Sequence, residues 1–257
     1  MTDNMTQLAD RRMVLATDLD GTFLGGSDAD RDRLYDWLEQ NRRTVGLIFV
    51  TGRDPAFIQE LCGGGRIPWP DYVVGDVGTT IAHVDPGSGL TPIPALEADI
   101  AAAWDDRGPK VRAELDGHPG LTVQPTAFRY RVSYDMQPDL FDESAVGIVR
   151  DLGADVLMSD NRFFDVLPRG VSKGPSLLRL VDHLGVDAAS VLAAGDTLND
   201  LSMLVAGTPA VAVGGSEAAL LEALPQSGRI HRARAIGAAG IVEAISVFDL
   251  HPITTEI

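Results

Sequence analysis

Six consecutive apolar residues, Val45-Gly46-Leu47-Ile48-Phe49-Val50, run straight into Thr51-Gly52-Arg53. Nothing in the run alternates, so neither face of the segment is made for water. A strand of this kind belongs in the middle of a parallel sheet covered on both sides. Three further segments share the texture: Val14 to Thr17, Ser190 to Ala194 and Ala210 to Val213. Amphipathic stretches separate them, one carrying Leu34, Trp37 and Leu38, another Leu177, Leu178, Val181 and Leu184 before Gly185. Ser27 and Asp30 are spaced to cap the first of these, and Pro55 suits the opening turn of another helix. Alternation of strand and helix predicts an α/β fold: a doubly wound parallel sheet, a Rossmann-like core.

The middle of the chain breaks the rhythm. It begins at Pro86-Gly87-Ser88-Gly89, continues through a helix near Ala95–Trp104, and then reads LTVQPTAFRYRVSYDM, where alternation predicts antiparallel strands. A helix near Asp142–Leu152 and strands near Val156 and Phe163 follow. The expected organisation is a core of residues 1–83 and 164–257 with an inserted α+β domain over 84–163.

Ligands of open α/β sheets bind at the carboxyl ends of strands. Four polar motifs sit at such ends or beside them. Asp18 and Asp20 follow the first strand, Thr51 and Gly52 the second, and Asp196 the strand at 190–194, while Lys173 opens the preceding helix. Carboxylates at 18, 20 and 196 make a hard oxygen site suited to Mg²⁺. Lys173 and Thr51, with the backbone N–H groups near Gly52, suit a phosphoryl group. The only lysines among 21 basic residues are Lys110 and Lys173, which sharpens interest in the second.

The formal net charge of −16 argues against a nucleic-acid partner, and no apolar run is long enough to span a bilayer. MTDNMTQLADRR lacks the basic start and apolar stretch of a signal peptide, and a single cysteine, Cys62, allows no disulfide framework. A cytoplasmic protein, monomeric or homodimeric, is expected. The five histidines show no metal-ligand spacing.

In order and spacing, DLDGT (18–22), TGR (51–53), GVSKG (170–174) and GDTLND (195–200) resemble the four motifs of the haloacid dehalogenase superfamily, and the insertion resembles its type-two cap. Within it the chain is similar to the sucrose-phosphate phosphatase group, on DVGTTI (76–81), FRYRVSYD (128–135), FFDVLPRGVSKG (163–174) and LAAGDTLND (192–200). It departs from that group's pattern at Asp76, where many relatives with this cap carry Asn, and at Arg131, where Lys is expected.

The resemblance implies a Mg²⁺-dependent phosphate monoester hydrolase. Asp18 would be the nucleophile that becomes phosphorylated, and Asp20 the acid and base that also lends its main-chain carbonyl to the metal. Lys173, Thr51 and Asn199 would hold the phosphoryl oxygens, with Asp200 behind them orienting Lys173 or a metal water. The cap would act as a lid, and Gly78, Thr79, Arg131 and Ser133 are the candidates for contact with the sugar. A disaccharide or glycoside phosphate, of the sucrose, mannosylfructose or glucosylglycerol kind, is the expected small-molecule substrate. Two alternatives stay open: a phosphomannomutase-type sugar phosphotransferase, and a non-enzymatic phosphate-binding regulatory module.

Overall fold

A computed structural model describes residues 7–253, so residues 1–6 of the amino-terminal segment discussed above lie outside the described residues. The core is one sheet of eight strands. β1 (Met13–Thr17), α1 (Asp28–Gln40), β2 (Val45–Val50), α2 (Pro55–Gly63) and β3 (Tyr72–Gly75) open the chain, and β4 (Thr80–Asp85) and β5 (Gly89–Pro92) extend it. The chain returns through α6 (Lys173–His183), β10 (Val191–Gly195), α7 (Leu201–Leu204), β11 (Ala210–Gly214), α8 (Ala218–Ala223), β12 (Ile230–Ile236) and α9 (Ala238–Val247). The strand order is β12-β11-β10-β1-β2-β3-β4-β5; pairing is parallel from β12 to β3 and antiparallel over β3-β4-β5.

Every residue of β1, β2 and β10 is buried, as their unbroken apolar runs require. The two faces of the sheet carry separate cores, one built around Leu15, Leu47, Phe49 and Ile241, the other around Val14, Ile48, Leu177 and Leu180. Local chemistry sets the helix starts. Ser27 and Asp30 exchange hydrogen bonds across the first turn of α1 (3.2 and 3.3 Å), and the Asp54 carboxylate accepts from the Phe57 N–H ahead of Pro55 (2.9 Å).

The cap is a four-stranded antiparallel sheet, order β6-β7-β9-β8, made of β6 (Leu121–Val123), β7 (Val132–Met136), β8 (Ala154–Ser159) and β9 (Phe163–Pro168). Helices α3 (Pro94–Trp104), α4 (Gly108–Leu115) and α5 (Ser144–Asp151) accompany it. Its own core gathers Val111, Tyr134, Val149 and Phe164.

The expected boundaries of 84–163 shift at both ends. Pro86–Gly89 is not an entry into the cap but a hairpin turn, tied by the Asp85 carboxylate to the N–H groups of Gly87 (2.7 Å) and Ser88 (3.0 Å). So short a turn returns β5 onto β4, and both stay in the core sheet. At the other end β9 pairs with β7 and β8, which carries the cap to Pro168. Helix α3 joins the two bodies, with Ile100 in the core and Trp104 in the cap. FRYR is also not strand: β7 begins only at Val132. Among the described residues no helix is long and apolar enough to cross a membrane.

Candidate active site

Register places the site. Thr17 pairs with Phe49 on one side and Ala194 on the other, so Asp18, the β2–α2 loop and the β10–α7 loop leave the sheet side by side. The Asp18 N–H donates to the Ala194 carbonyl (2.8 Å), which fixes the exit of the first loop. That loop turns at Gly21, whose φ of +80° suits glycine; an added Cβ would lie 2.1 Å from the Asp196 Oδ2 atom. Asp18, Asp20, Thr51, Gly52, Asp196 and Asn199 line one cleft of about 630 Å³ between core and cap.

Lys173 lies behind the cleft, 1% exposed, at the first turn of α6. Its Nζ donates to Asp18 Oδ1, Asn199 Oδ1 and Asp200 Oδ1, each at 2.7 Å. All three ammonium protons are thus used. Burial works against the ammonium, but Asp18 and Asp200 outweigh it and hold the group above its ordinary range. Asp200 is fully buried, and its second oxygen accepts from the N–H groups of Asp196 and Thr197, both at 3.0 Å. It therefore orients Lys173 and the 195–200 loop together.

Burial pushes the Asp18 carboxyl up to about 8, with Asp200 and Asp196 adding to the effect and Lys173 opposing it. Burial likewise raises Asp196 to about 6, although the Thr22 hydroxyl donates to its Oδ1 at 2.6 Å. Ligand atoms of Asp18, Asp196 and Asp200 lie within 4.8 Å of one another. Asp200 has both oxygens engaged by Lys173 and backbone, whereas among the described residues Asp18 accepts one hydrogen bond, from Lys173, and Asp196 one, from Thr22, each through Oδ1. This buried, under-compensated acidic cluster fits a divalent cation held mainly by Asp18 and Asp196.

Asp20 departs from the expected set of metal carboxylates. Its side chain is half exposed, lies outside the cluster of Asp18, Asp196 and Asp200, and is paired to Arg53 by bonds of 2.8 and 3.0 Å. Asp20 precedes a turn that swings its carboxylate toward the β2–α2 loop, while Asp200 completes the acidic group. Arg53 in turn lies over the Phe57 ring, 4.5 Å from its centroid.

Of the four candidate sugar contacts, only Arg131 lines the cleft. Gly78 and Thr79 are corrected: both are buried in the core, where Gly78 packs against the Ser172–Lys173 backbone and the Thr79 hydroxyl donates to the Asp76 carbonyl (3.0 Å). Ser133 is corrected as well, for its hydroxyl is turned into the cap and donates to Asp165. Thr22, Arg53, Gln124, Thr126 and Arg162 belong to the site or its walls and escaped sequence reasoning. Thr22 and Arg53 sit inside motifs already visible, so their signal was adjacency; the cap residues offered none.

Fold and acidic cluster together define a haloacid dehalogenase-type protein with an inserted cap. A family model described as Sucrose-6F-phosphate phosphohydrolase matches residues 11–249, and the chain belongs to that family. Glucosylglycerol-phosphate synthase of Pseudomonas anguilliseptica is 40% identical over 237 residues, 92% of this chain but only 31% of the synthase, so the chain spans under a third of that relative's length. Mannosylfructose-phosphate phosphatase of Agrobacterium fabrum is 29% identical over 252 residues, 93% of this chain and 98% of the relative. Among solved structures, the sucrose-phosphatase of Synechocystis sp. PCC6803, in complex with sucrose and phosphate, superposes with a TM-score of 0.81 at 25% identity, covering 93% of this chain and 98% of the other.

Proposed function

We propose that this chain hydrolyses the phosphate monoester of a glycoside or disaccharide, with Mg²⁺, through an aspartyl-phosphate on Asp18. The observation that carries the reading is the buried Lys173–Asp18 contact of 2.7 Å, beside Asp196, at the strand ends beneath the cap. Family membership and the similarity to phosphatases of sucrose and mannosylfructose phosphates support the substrate class.

In the proposed reaction Asp18 attacks phosphorus, and the bond from phosphorus to the sugar oxygen breaks. Asp20 gives that oxygen its proton, then takes one from the water that cleaves the acyl phosphate and releases inorganic phosphate. Arg53, paired to Asp20 along the wall of the same cleft, orients its carboxylate. Lys173, Thr51 and Asn199 orient the non-bridging oxygens and balance their charge. Asp18 and Asp196 would hold Mg²⁺, which would supply positive charge favouring the ionised form of Asp18 and the phosphoryl group. The cap excludes bulk water. The proposed compartment is the cytoplasm, a reading that the lone cysteine, Cys62, supports.

The test is phosphate release from sucrose, mannosylfructose and glucosylglycerol phosphates, with and without Mg²⁺, beside hexose phosphates and an aryl phosphate. Release that favours glycoside phosphates over hexose phosphates, is slower but measurable on the aryl phosphate, and is lost with EDTA is expected. Isomerisation of a hexose phosphate primed by a bisphosphate, without free phosphate, would replace hydrolysis by phosphotransfer.

A further inference from the structure

We propose that Arg131 is a positioning residue that makes closure of the cap a condition for the phosphate-binding geometry of Thr51. Its kinetic consequences rest on the phosphatase reading above. Arg131 stands just before β7 with its side chain only 6% exposed. Within the cap, its guanidinium stacks 3.6 Å from the Phe128 ring centroid and Nη1 donates to Asp165 Oδ1 at 3.3 Å. Across to the core, Nη2 donates to the Gly52 carbonyl at 3.1 Å and faces Asp76 Oδ1 at 3.7 Å. The guanidinium is thus shared between two bodies, with one anion from each.

The Gly52 carbonyl belongs to the same rigid peptide as the Arg53 N–H. That N–H donates to the Thr51 hydroxyl oxygen at 3.1 Å. With one lone pair so engaged, and no acceptor for the hydroxyl proton among the described residues, the Thr51 hydroxyl is free to donate into the cleft it lines. The chain of contacts therefore runs from Arg131 through one peptide plane to the Thr51 hydroxyl. Asp76 braces the other side: its N–H donates to the Arg53 carbonyl (3.0 Å), and the next N–H, from Val77, to the Thr51 carbonyl (3.1 Å).

Asp76 and Val77 both hold positive φ, +53° and +59°, a strained conformation for residues other than glycine. Strain of this kind persists only where its surroundings enforce it. Asp76 Oδ2 is engaged by the Thr80 hydroxyl (2.6 Å), while Asp76 Oδ1 and Arg131 Nε are buried without hydrogen-bond partners among the described residues. Two buried groups of opposite charge, held short of full pairing, suit a contact that must also come apart.

The test compares R131A and R131K on an aryl phosphate and on the best glycoside phosphate. In R131A, kcat is expected to fall about 10- to 100-fold on both, with KM for the aryl phosphate little changed. R131K, which keeps the charge but offers a single point donor, recovers part of the loss. In a T51A background R131A costs little more, because the two act through one path. Without substrate, amide exchange at residues 51–53 rises in R131A while that of β2 does not. A loss confined to the glycoside phosphate, an additive double variant, or unchanged exchange at 51–53 each overturns the proposal. If R131A does not fold by circular dichroism, R131Q takes its place with the same readouts. Raised exchange in a chain whose wild type releases no phosphate would keep the latch and remove the phosphatase reading.

Discussion

Lys173 Nζ and Asp18 Oδ1 meet at 2.7 Å across 155 residues of sequence, both almost fully buried. The pair joins the amino end of α6 to the carboxyl end of β1. Breaking it strands Asp18 and Asp200 without their shared cation, at a cost of about 3–5 kcal/mol for a buried pair. K173A is therefore expected to lower the denaturation midpoint and to abolish phosphate release. A variant with wild-type stability and turnover would show that the contact does neither task.

D18N should behave differently. Burial already disfavours the Asp18 carboxylate, so a neutral isostere removes that cost. The metal-free variant is expected to match or exceed wild type in Tm at pH 8, while releasing no phosphate. Turnover near normal would exclude Asp18 as the nucleophile.

The acidic cluster makes a signed prediction for pH. Asp196 and Asp18 have folded-state values raised from 3.8 to about 6 and about 8. The folded protein therefore binds their protons more tightly than the unfolded chain does. The stability they confer is present in full below pH 4 or so and is withdrawn as pH rises to about 8. Across that window the cluster's contribution to metal-free stability should fall, and the gain in Tm from added Mg²⁺ should grow with pH. Thermal melts at several pH values with EDTA or Mg²⁺ check this, with D196N flattening the dependence.

Gly78 supports Lys173 from beneath. Its φ is +101°, and an added Cβ would lie 2.5 Å from the Ser172 carbonyl oxygen and 2.9 Å from the Lys173 nitrogen. G78A is expected to lose about 1–3 kcal/mol from backbone strain alone, before any displacement of α6. Urea midpoints measure the loss, and phosphate release should drop further than the fraction unfolded accounts for.

Cys62 is fully buried on α2, and burial pushes its thiol up to about 12. A disulfide reagent at pH 8 should find no reactive thiol in the native protein and one per chain in denaturant. Fast native reaction would mean that α2 opens locally.

Each part of the structure was legible to the degree that it is local. Val45–Val50 could only be a covered strand, because no residue in it tolerates water, and the polar residues that end such runs had to emerge at the sheet's carboxyl edge. Asp18, Thr51 and Asp196 were visible for that reason, and Lys173 by its place at the start of the helix before β10. The β4–β5 hairpin was not, since Pro86–Gly89 reads equally as a turn within the sheet or a departure from it, and only pairing with β3 decides.

By itself, then, the sequence determined the parallel core, the existence of a cap and the residues gathered at the strand ends, all consequences of apolar periodicity and turn chemistry along the chain. The tertiary structure alone decided that Asp20 turns to Arg53, that Asp200 completes the acidic group, and that Arg131 reaches Gly52 across 79 residues. These depend on how one folded body seats on another and where a loop aims its side chains. Burial and hydrogen bonding across that junction are settled in three dimensions, and no period in the sequence records them.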